Sequence, residues 1–486
     1  MGNFRIHGLA KHTLLFLAYG ALGVALTLIT VFVVALNSRT DLDVWHLAEL
    51  DEEFTTHSDV ASFSEYLALE DRLFSQLDKQ VYNSTGPSEN DKLNRYKRDS
   101  LADPKRWPTN WNRSYEKPVV DPSATVLLLH GLSDSPYSLK HLAERLRSAN
   151  AHVLGLRIPG HGTAPSGLVE ASWQDMAAAV QLAVRHLAEQ HPDKPIHIVG
   201  YSNGAALAVH YALSTLGQAE LDPVDRLVLL SPEIGVTPVA AFAIWQSRLG
   251  HFLGLEKLAW NSILPEYDPF KYGSFAVNAG DLSHRITAEI QRLLDKHTKS
   301  GQLDSMPPIQ AYTSVVDSTV LAPALVDRLL NRLPAAEHEL IIFDINARAD
   351  IEHLIKVDLA RMINALSESK DLRFKLSLIS NRYNPNNTVV ERRWLPSQPG
   401  YTDTAIDLSW PMGIFSLSHV ALPFPAEDPL YGGVPTKPSP GVALGNLALR
   451  GENDVLLISP SAMLRMRWNP FYPYLERRTI EFLDLQ

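Results

Sequence analysis

Residues 196–209 read Ile196-His197-Ile198-Val199-Gly200-Tyr201-Ser202-Asn203-Gly204-Ala205-Ala206-Leu207-Ala208-Val209. A short β-branched run ends in Gly-x-Ser-x-Gly, and a segment of helix formers follows at once. This order of strand, sharp turn and helix is the context of a nucleophile elbow. A serine at the tip of such a turn stands clear of the sheet. Flanking glycines admit neighbouring backbone where a Cβ would clash. The helix that follows aims its N-terminal N–H groups at a developing negative charge. Ser202 is therefore the candidate nucleophile.

Outward from this point, short apolar strands alternate with helical stretches. Strands are expected at 124–130, 152–156, 196–201, 226–231, 309–314, 339–344 and 373–379. Helices are expected at 137–149, 172–190, 203–216, 322–332, 350–366 and 474–484. The alternation predicts a mostly parallel sheet with helices on both faces. Residues 235–300 interrupt it with Phe242, Trp245, Phe252, Trp260 and Phe270 among prolines 238, 265 and 269. Placed after a strand on the site side of the sheet, that stretch reads as a helical cap.

A serine hydroxyl needs a base, an orienting acid and oxyanion donors. Upstream, the apolar run Val126–Leu129 leads into His130-Gly131-Leu132. The backbone N–H of Leu132 and that of Asn203 are the candidate oxyanion donors, and His130 reads as a structural residue of the loop. Downstream, Asp317 follows the strand 309–314 at its carboxyl end and is the candidate acid; Asp344 and Asp350 are less favoured. For the base, His419 lies between an apolar run and a proline-broken loop. His353 sits off the apolar stripe of a helix and is the weaker candidate, while His284 and His297 belong to the cap. Choosing His419 leaves an excursion over 380–417, for which a hairpin including Thr388–Trp394 is expected.

The N-terminal part reads differently. Residues 13–36 carry no charge, and about 20 apolar residues suffice to span a bilayer. Arg5 and Lys11 precede this run, while acidic residues crowd behind Arg39. The bias leaves residues 1–12 as a cytoplasmic tail, 13–36 as an uncleaved single-pass anchor in the inner (cytoplasmic) membrane, and the remainder on the periplasmic side. Residues 41–120 form a stalk and packing segment. There Leu67, Leu73, Phe74, Leu77 and Val81 recur at helical spacing, and Trp107, Trp111 and Tyr115 pin the chain to the domain surface. Residues 121–486 form the main domain.

Composition bounds the chemistry. The chain has 486 residues, 45% hydrophobic, with a formal net charge of -10. No basic cluster suggests a nucleic-acid partner. There is no cysteine, which excludes disulfides and thiolate catalysis.

The pieces Leu129-His130-Gly131-Leu132, Ile158-Pro159-Gly160-His161-Gly162-Thr163, Gly200–Gly204 and the Asp317 turn resemble the α/β-hydrolase superfamily, within it the monoacylglycerol-lipase and carboxylesterase-like branch. That resemblance is good over 124–345 and thins outside it. It implies acyl transfer to water with no metal or organic cofactor, on a small-molecule or lipid ester. The branch includes serine aminopeptidases, so a peptidase, amidase or thioesterase is the alternative. A non-catalytic anchored binding protein that kept the fold is a third reading.

Overall fold

The computed structural model describes residues 3–85, 92–235, 256–317, 319, 322–349, 372–383, 388–447 and 464–485. Its strands in chain order are β1 (Tyr115–Lys117), β2 (Ala124–Leu129), β3 (Ala151–Leu156), β4 (Ile196–Tyr201), β5 (Arg226–Leu230), β6 (Trp260–Ser262), β7 (Phe275–Ala276), β8 (Ile309–Ser314), β9 (Glu339–Phe343), β10 (Lys375–Ser380), β11 (Thr388–Trp394) and β12 (Thr402–Ser409). The helices are α1 (Asn3–Asn37), α2 (Val44–Leu47), α3 (Phe63–Leu77), α4 (Lys140–Ser148), α5 (Gly167–Glu170), α6 (Trp173–Gln190), α7 (Asn203–Thr215), α8 (Val277–Ser300), α9 (Ala322–Arg328) and α10 (Tyr472–Phe482).

The main sheet runs β1-β3-β2-β4-β5-β8-β9-β10-β11-β12. Strands β3 through β10 in that order are parallel; β1 is an antiparallel edge, and β11 and β12 add antiparallel strands at the other side. Every residue of β2, β3, β4 and β8 is buried, as expected for parallel strands covered on both faces. Side chains alternate between two cores. Leu127, Leu129, Ile198, Leu227 and Leu229 face one that contains residues of α6, α7 and α8. Val126, Leu128, Val199, Val228 and Leu230 face another that contains residues of α4 and α10. This is the α/β-hydrolase fold. The chain runs from β2 to its neighbour β3, then crosses back to β4 on the other side. Such a switch point opens a crevice beyond the carboxyl ends of the strands.

The excursion over 380–417 contains the expected hairpin: β11 pairs antiparallel with β10 and with β12. Helix 137–149 is entered through a 3-10 turn at Pro136–Leu139, where the proline suits the first turn. The expected helix 350–366 lies outside the described residues. So do residues 236–255 of the stretch 235–300. Its remainder is a 3-10 turn at Glu256–Ala259, the β6–β7 ribbon and α8, which packs on α7 through a buried face that includes Leu282, Ile286 and Ile290.

The N-terminal segment is laid along the domain. Ser62 caps α3 with a capping box to Glu65, and Phe63, Tyr66, Leu69, Leu73 and Leu77 form its buried face. Trp45, Phe74, Leu77, Val81 and Tyr96 make a satellite core with Ala164. Trp107 packs with Tyr137 and Phe270. Arg157, fully buried, donates to Glu53 through both terminal nitrogens (3.0 and 2.9 Å) and to Glu70 through Nε at 3.0 Å. Ahead of all this, Leu15–Asn37 of α1 is a 23-residue stretch of mean hydropathy 2.3. It is the one described helix long and apolar enough to cross a membrane.

Candidate active site

Between β4 and α7 the backbone of Ser202 is forced to φ 54°, ψ −114°. A serine there costs about 1–3 kcal/mol of strain and persists only when its surroundings hold it. Backbone hydrogen bonds do: Ser202 N–H donates to Leu230 C=O at 2.9 Å, and Ser202 C=O accepts from the N–H groups of Ala205, Ala206 and Glu233 at 3.1, 3.3 and 3.2 Å. The flanking glycines are sterically required. A Cβ at Gly204 would lie 2.2 Å from Leu129 O, and one at Gly200 would lie 2.5 Å from Ala205 Cα.

The structure brings Ser202, His419 and Asp317 into one hydrogen-bonded chain. His419 Nε2 is 3.1 Å from Ser202 Oγ, and His419 Nδ1 is 2.9 Å from Asp317 Oδ2. A carboxylate only accepts, so Nδ1 carries the proton and Nε2 accepts from the serine hydroxyl. Asp317 Oδ1 accepts the backbone N–H of Thr319 at 2.9 Å, which orients the carboxylate. All three side chains lie in buried residues.

The loop that presents His419 is tied on several sides. Asn346 N–H donates to Phe415 C=O and Asn346 Nδ2 donates to Ile414 C=O, both at 2.8 Å. Further along, Asp428 is fully buried and accepts from Lys140 Nζ and His141 Nε2, each at 2.7 Å, and from the backbone N–H groups of Leu430 and Tyr431. Burial alone would raise the Asp428 carboxyl, but Lys140 and the bond to His141 hold it far below the usual carboxylate range.

Opposite the serine stands the loop after β2. Neither the Leu132 nor the Asn203 N–H is taken by another protein group among the described residues. Gly131 sits against Tyr201, whose ring also lies 5.4 Å from that of His419. The loop is clamped from the 264–276 segment: Tyr272 N–H donates to Ser133 C=O at 2.9 Å, and Lys271 Nζ donates to Asp134 at 2.8 Å. His130 braces the loop with its ring. Its Nδ1 donates to Gly131 C=O at 2.9 Å, and its Nε2 accepts the Ile158 N–H at 3.1 Å. Burial pushes its pKa far down, which keeps the ring neutral and able to do both. His161, also buried and pushed down to about 4, donates to Pro159 C=O.

Of the less favoured residues, Asp344 is engaged by Ser380 Oγ and the Ile345 N–H, and His297 bonds Gln302. Asp350 and His353 lie outside the described residues. One group at the site was not singled out from the sequence. Glu233, three residues past β5, is buried and accepts the side-chain amide of Asn203 at 3.2 Å. Burial raises its pKa, opposed by the hydrogen bonds from Ser283 and Asn203 and by His419. Its sequence signal was a lone carboxylate inside an apolar stretch, just after the strand beside the elbow.

Among the described residues no cluster of histidine and carboxylate side chains is arranged to hold a metal ion. No curated protein matches the chain. Among solved structures, one from the metagenome-derived lipolytic enzymes LipS and LipT is 21% identical, over 53% of this chain and 98% of its own, with a TM-score of 0.37. The monoacylglycerol lipase of Paleococcus ferrophilus is 17% identical, over 48% of this chain and 89% of its own, with a TM-score of 0.36. A soluble variant of monoglyceride lipase from Saccharomyces cerevisiae, in complex with a substrate analog, is 16% identical, over 48% and 81%, with a TM-score of 0.36. Residues 120–340 match the family described as serine aminopeptidase, S33. The sheet order and the strand–elbow–helix unit are those of the α/β-hydrolase fold, and residues 120–340 carry the chain's similarity to the S33 serine aminopeptidase family.

Proposed function

We propose that the protein is a membrane-anchored serine hydrolase that cleaves carboxylic esters through an acyl-enzyme on Ser202. The observation that carries this reading is the hydrogen-bonded chain Ser202–His419–Asp317 on a strained elbow. Ser202 Oγ attacks the ester carbonyl while His419 Nε2 takes its proton. Asp317 keeps the ring in the required tautomer and stabilises the imidazolium that forms. The N–H groups of Leu132 and Asn203 hold the oxyanion. The alkoxide leaves with the proton from His419; water then gives a proton to the same nitrogen as its oxygen attacks the acyl carbon, and His419 returns that proton to Ser202 Oγ as the acid departs. Helix α1 supports the anchor, with its N-terminus in the cytoplasm and the hydrolase domain on the periplasmic side. The tether favours an ester with an apolar acyl chain.

Amide cleavage is the second reading, because the matched family is described as serine aminopeptidases. Matched p-nitrophenyl esters and p-nitroanilides, given to wild type and to Ser202→Ala, test both. The expected result is turnover of the ester, lost in Ser202→Ala, with the anilide cleaved far more slowly. Turnover of the anilide alone would replace the ester reading by the amide one. Turnover of neither by folded wild type counts against hydrolysis.

A further inference from the structure

The point where α1 leaves its apolar stretch is fastened to the hydrolase domain. Two residues after the helix, Arg39 donates through Nη1 to Lys257 C=O at 2.8 Å, and through Nη2 to Trp260 C=O at 2.6 Å and Asn261 C=O at 3.2 Å. Lys257 Nζ returns hydrogen bonds to Arg39 C=O at 3.0 Å and to Asp41 at 2.7 Å. Immediately afterwards, the ring of His46 on α2 packs edge-on against Trp260 at 4.8 Å and bonds Ser274 Oγ at 2.9 Å. No free linker separates helix from domain.

Geometry then limits where this face can be. The 23 residues Leu15–Asn37 rise about 34 Å as a helix, slightly more than the roughly 30 Å hydrocarbon core. With that stretch in the core, Arg39 falls in the headgroup layer, which is roughly 5–8 Å deep on each side. Lys257, Trp260 and Asn261 lie within one arginine side chain of it. Around the same point three apolar side chains face outward: Val44 (37% exposed), Leu47 (46%) and Leu264 (37%). Leu264 and α2 meet at Ser274, which bonds both the Leu264 N–H and His46. Arg39 has no carboxylate partner among the described residues, so its charge is open to lipid phosphate.

We propose that α2 and residues 256–264 form a contact with the phospholipid surface in which α1 is seated, so that the domain rests on the bilayer. The proposal depends on the anchor reading of α1. It has a consequence for the site. The same stretch of chain continues to Lys271 and Tyr272, which clamp the loop that carries Leu132. The bilayer contact, ending at Leu264, and the clamp on the oxyanion loop, beginning at Lys271, thus belong to one short stretch of chain, which suits an ester drawn from the adjacent leaflet.

The chain has no cysteine, so single-cysteine variants of the full-length protein report unambiguously. The variants are Leu26→Cys in α1, Leu47→Cys, Leu264→Cys, and Val120→Cys, which is fully exposed near the amino end of β2. Each is labelled with an environment-sensitive fluorophore and reconstituted into vesicles of phosphatidylcholine and phosphatidylglycerol. Spin-labelled lipids, with the label shallow or deep, serve as quenchers. The expected result is deep quenching at position 26, shallow quenching at 47 and 264, and several-fold less at 120. Quenching at 26 with 47 and 264 no better than 120 would overturn the docking while keeping the anchor. No quenching at 26 would remove the anchor, and the docking with it.

Discussion

Replacing Arg157 with methionine should unfold the link between the N-terminal segment and the site. Arg157 has no exposed side-chain surface and bridges Glu53 and Glu70, whose side chains are 15% and 3% exposed. It also donates to His161 C=O at 3.1 Å, while Glu53 accepts the Gly160 N–H at 2.9 Å. One cation therefore holds both the N-terminal segment and the Pro-Gly-His-Gly loop. Removing it keeps most of the volume but leaves two carboxylates without their counter-charge. Loss of one partner from a buried ion pair costs about 3–5 kcal/mol. The deficit should depend on pH. Burial already raises the Glu70 pKa, against the pull of Arg157, and the substitution raises it further. A carboxyl whose folded pKa lies above its unfolded value favours folding when protonated, and that advantage is lost as pH rises through the folded value. Arg157→Met should thus be closer to wild type near pH 5 than near pH 8, and adding Glu70→Gln should recover a large part of the loss. The assay is unfolding of the detergent-solubilised protein followed by circular dichroism. A deficit below about 1 kcal/mol, typical of an exposed pair, would refute the reasoning.

Three further outcomes follow from the geometry. Asp317→Asn should lower turnover roughly 10⁴-fold at unchanged stability, because the amide favours the wrong tautomer of His419, and His419→Ala should lower it at least as far; initial rates on an activated ester measure both. Gly204→Ala puts a Cβ against two backbone carbonyls, 2.2 Å from Leu129 O and 2.5 Å from His130 O, so it should cost about 1–3 kcal/mol and most of the activity. Gly301→Ala, strained at φ 68° but with open space around it, should cost stability alone. Burial pushes His161, His197 and His338 from 6.5 down to about 4, so the folded state binds fewer protons than the unfolded state between those values. Stability should therefore be intact above about pH 6.5 and fall as pH drops toward 4, read as a falling melting temperature.

How much of this was legible in the sequence depends on how local each feature is. The parallel strands announced themselves because burial on both faces demands continuous apolar runs, and β4 and β8 have the expected ends. Ser202 was legible because an elbow needs glycine on both sides within five residues. Asp317 and His419 were read from their places at the carboxyl edge and in a proline-broken loop; the structure brings them together across 102 residues. In the N-terminal segment the apolar stretch of α1, the stripe of α3 and the packing of Trp107 were legible, but the tie to the site was not. The segment's main tie joins Arg157 and Glu53 across 104 residues, and such a pair leaves no local pattern. The clamp between Arg39 and residues 257–261 was hidden for the same reason. Glu233 was visible only as an interruption, since a buried carboxyl has no periodic signature.

The central claim is that Ser202 is a nucleophile activated by His419. A fluorophosphonate probe reacts with an activated serine and not with an ordinary hydroxyl. Wild-type protein in detergent should label, with the adduct located on the peptide carrying Ser202 by mass spectrometry. Labelling should vanish in Ser202→Ala and be strongly slowed in His419→Ala. Folded wild type that does not label, or Ser202→Ala that still does, would contradict the account.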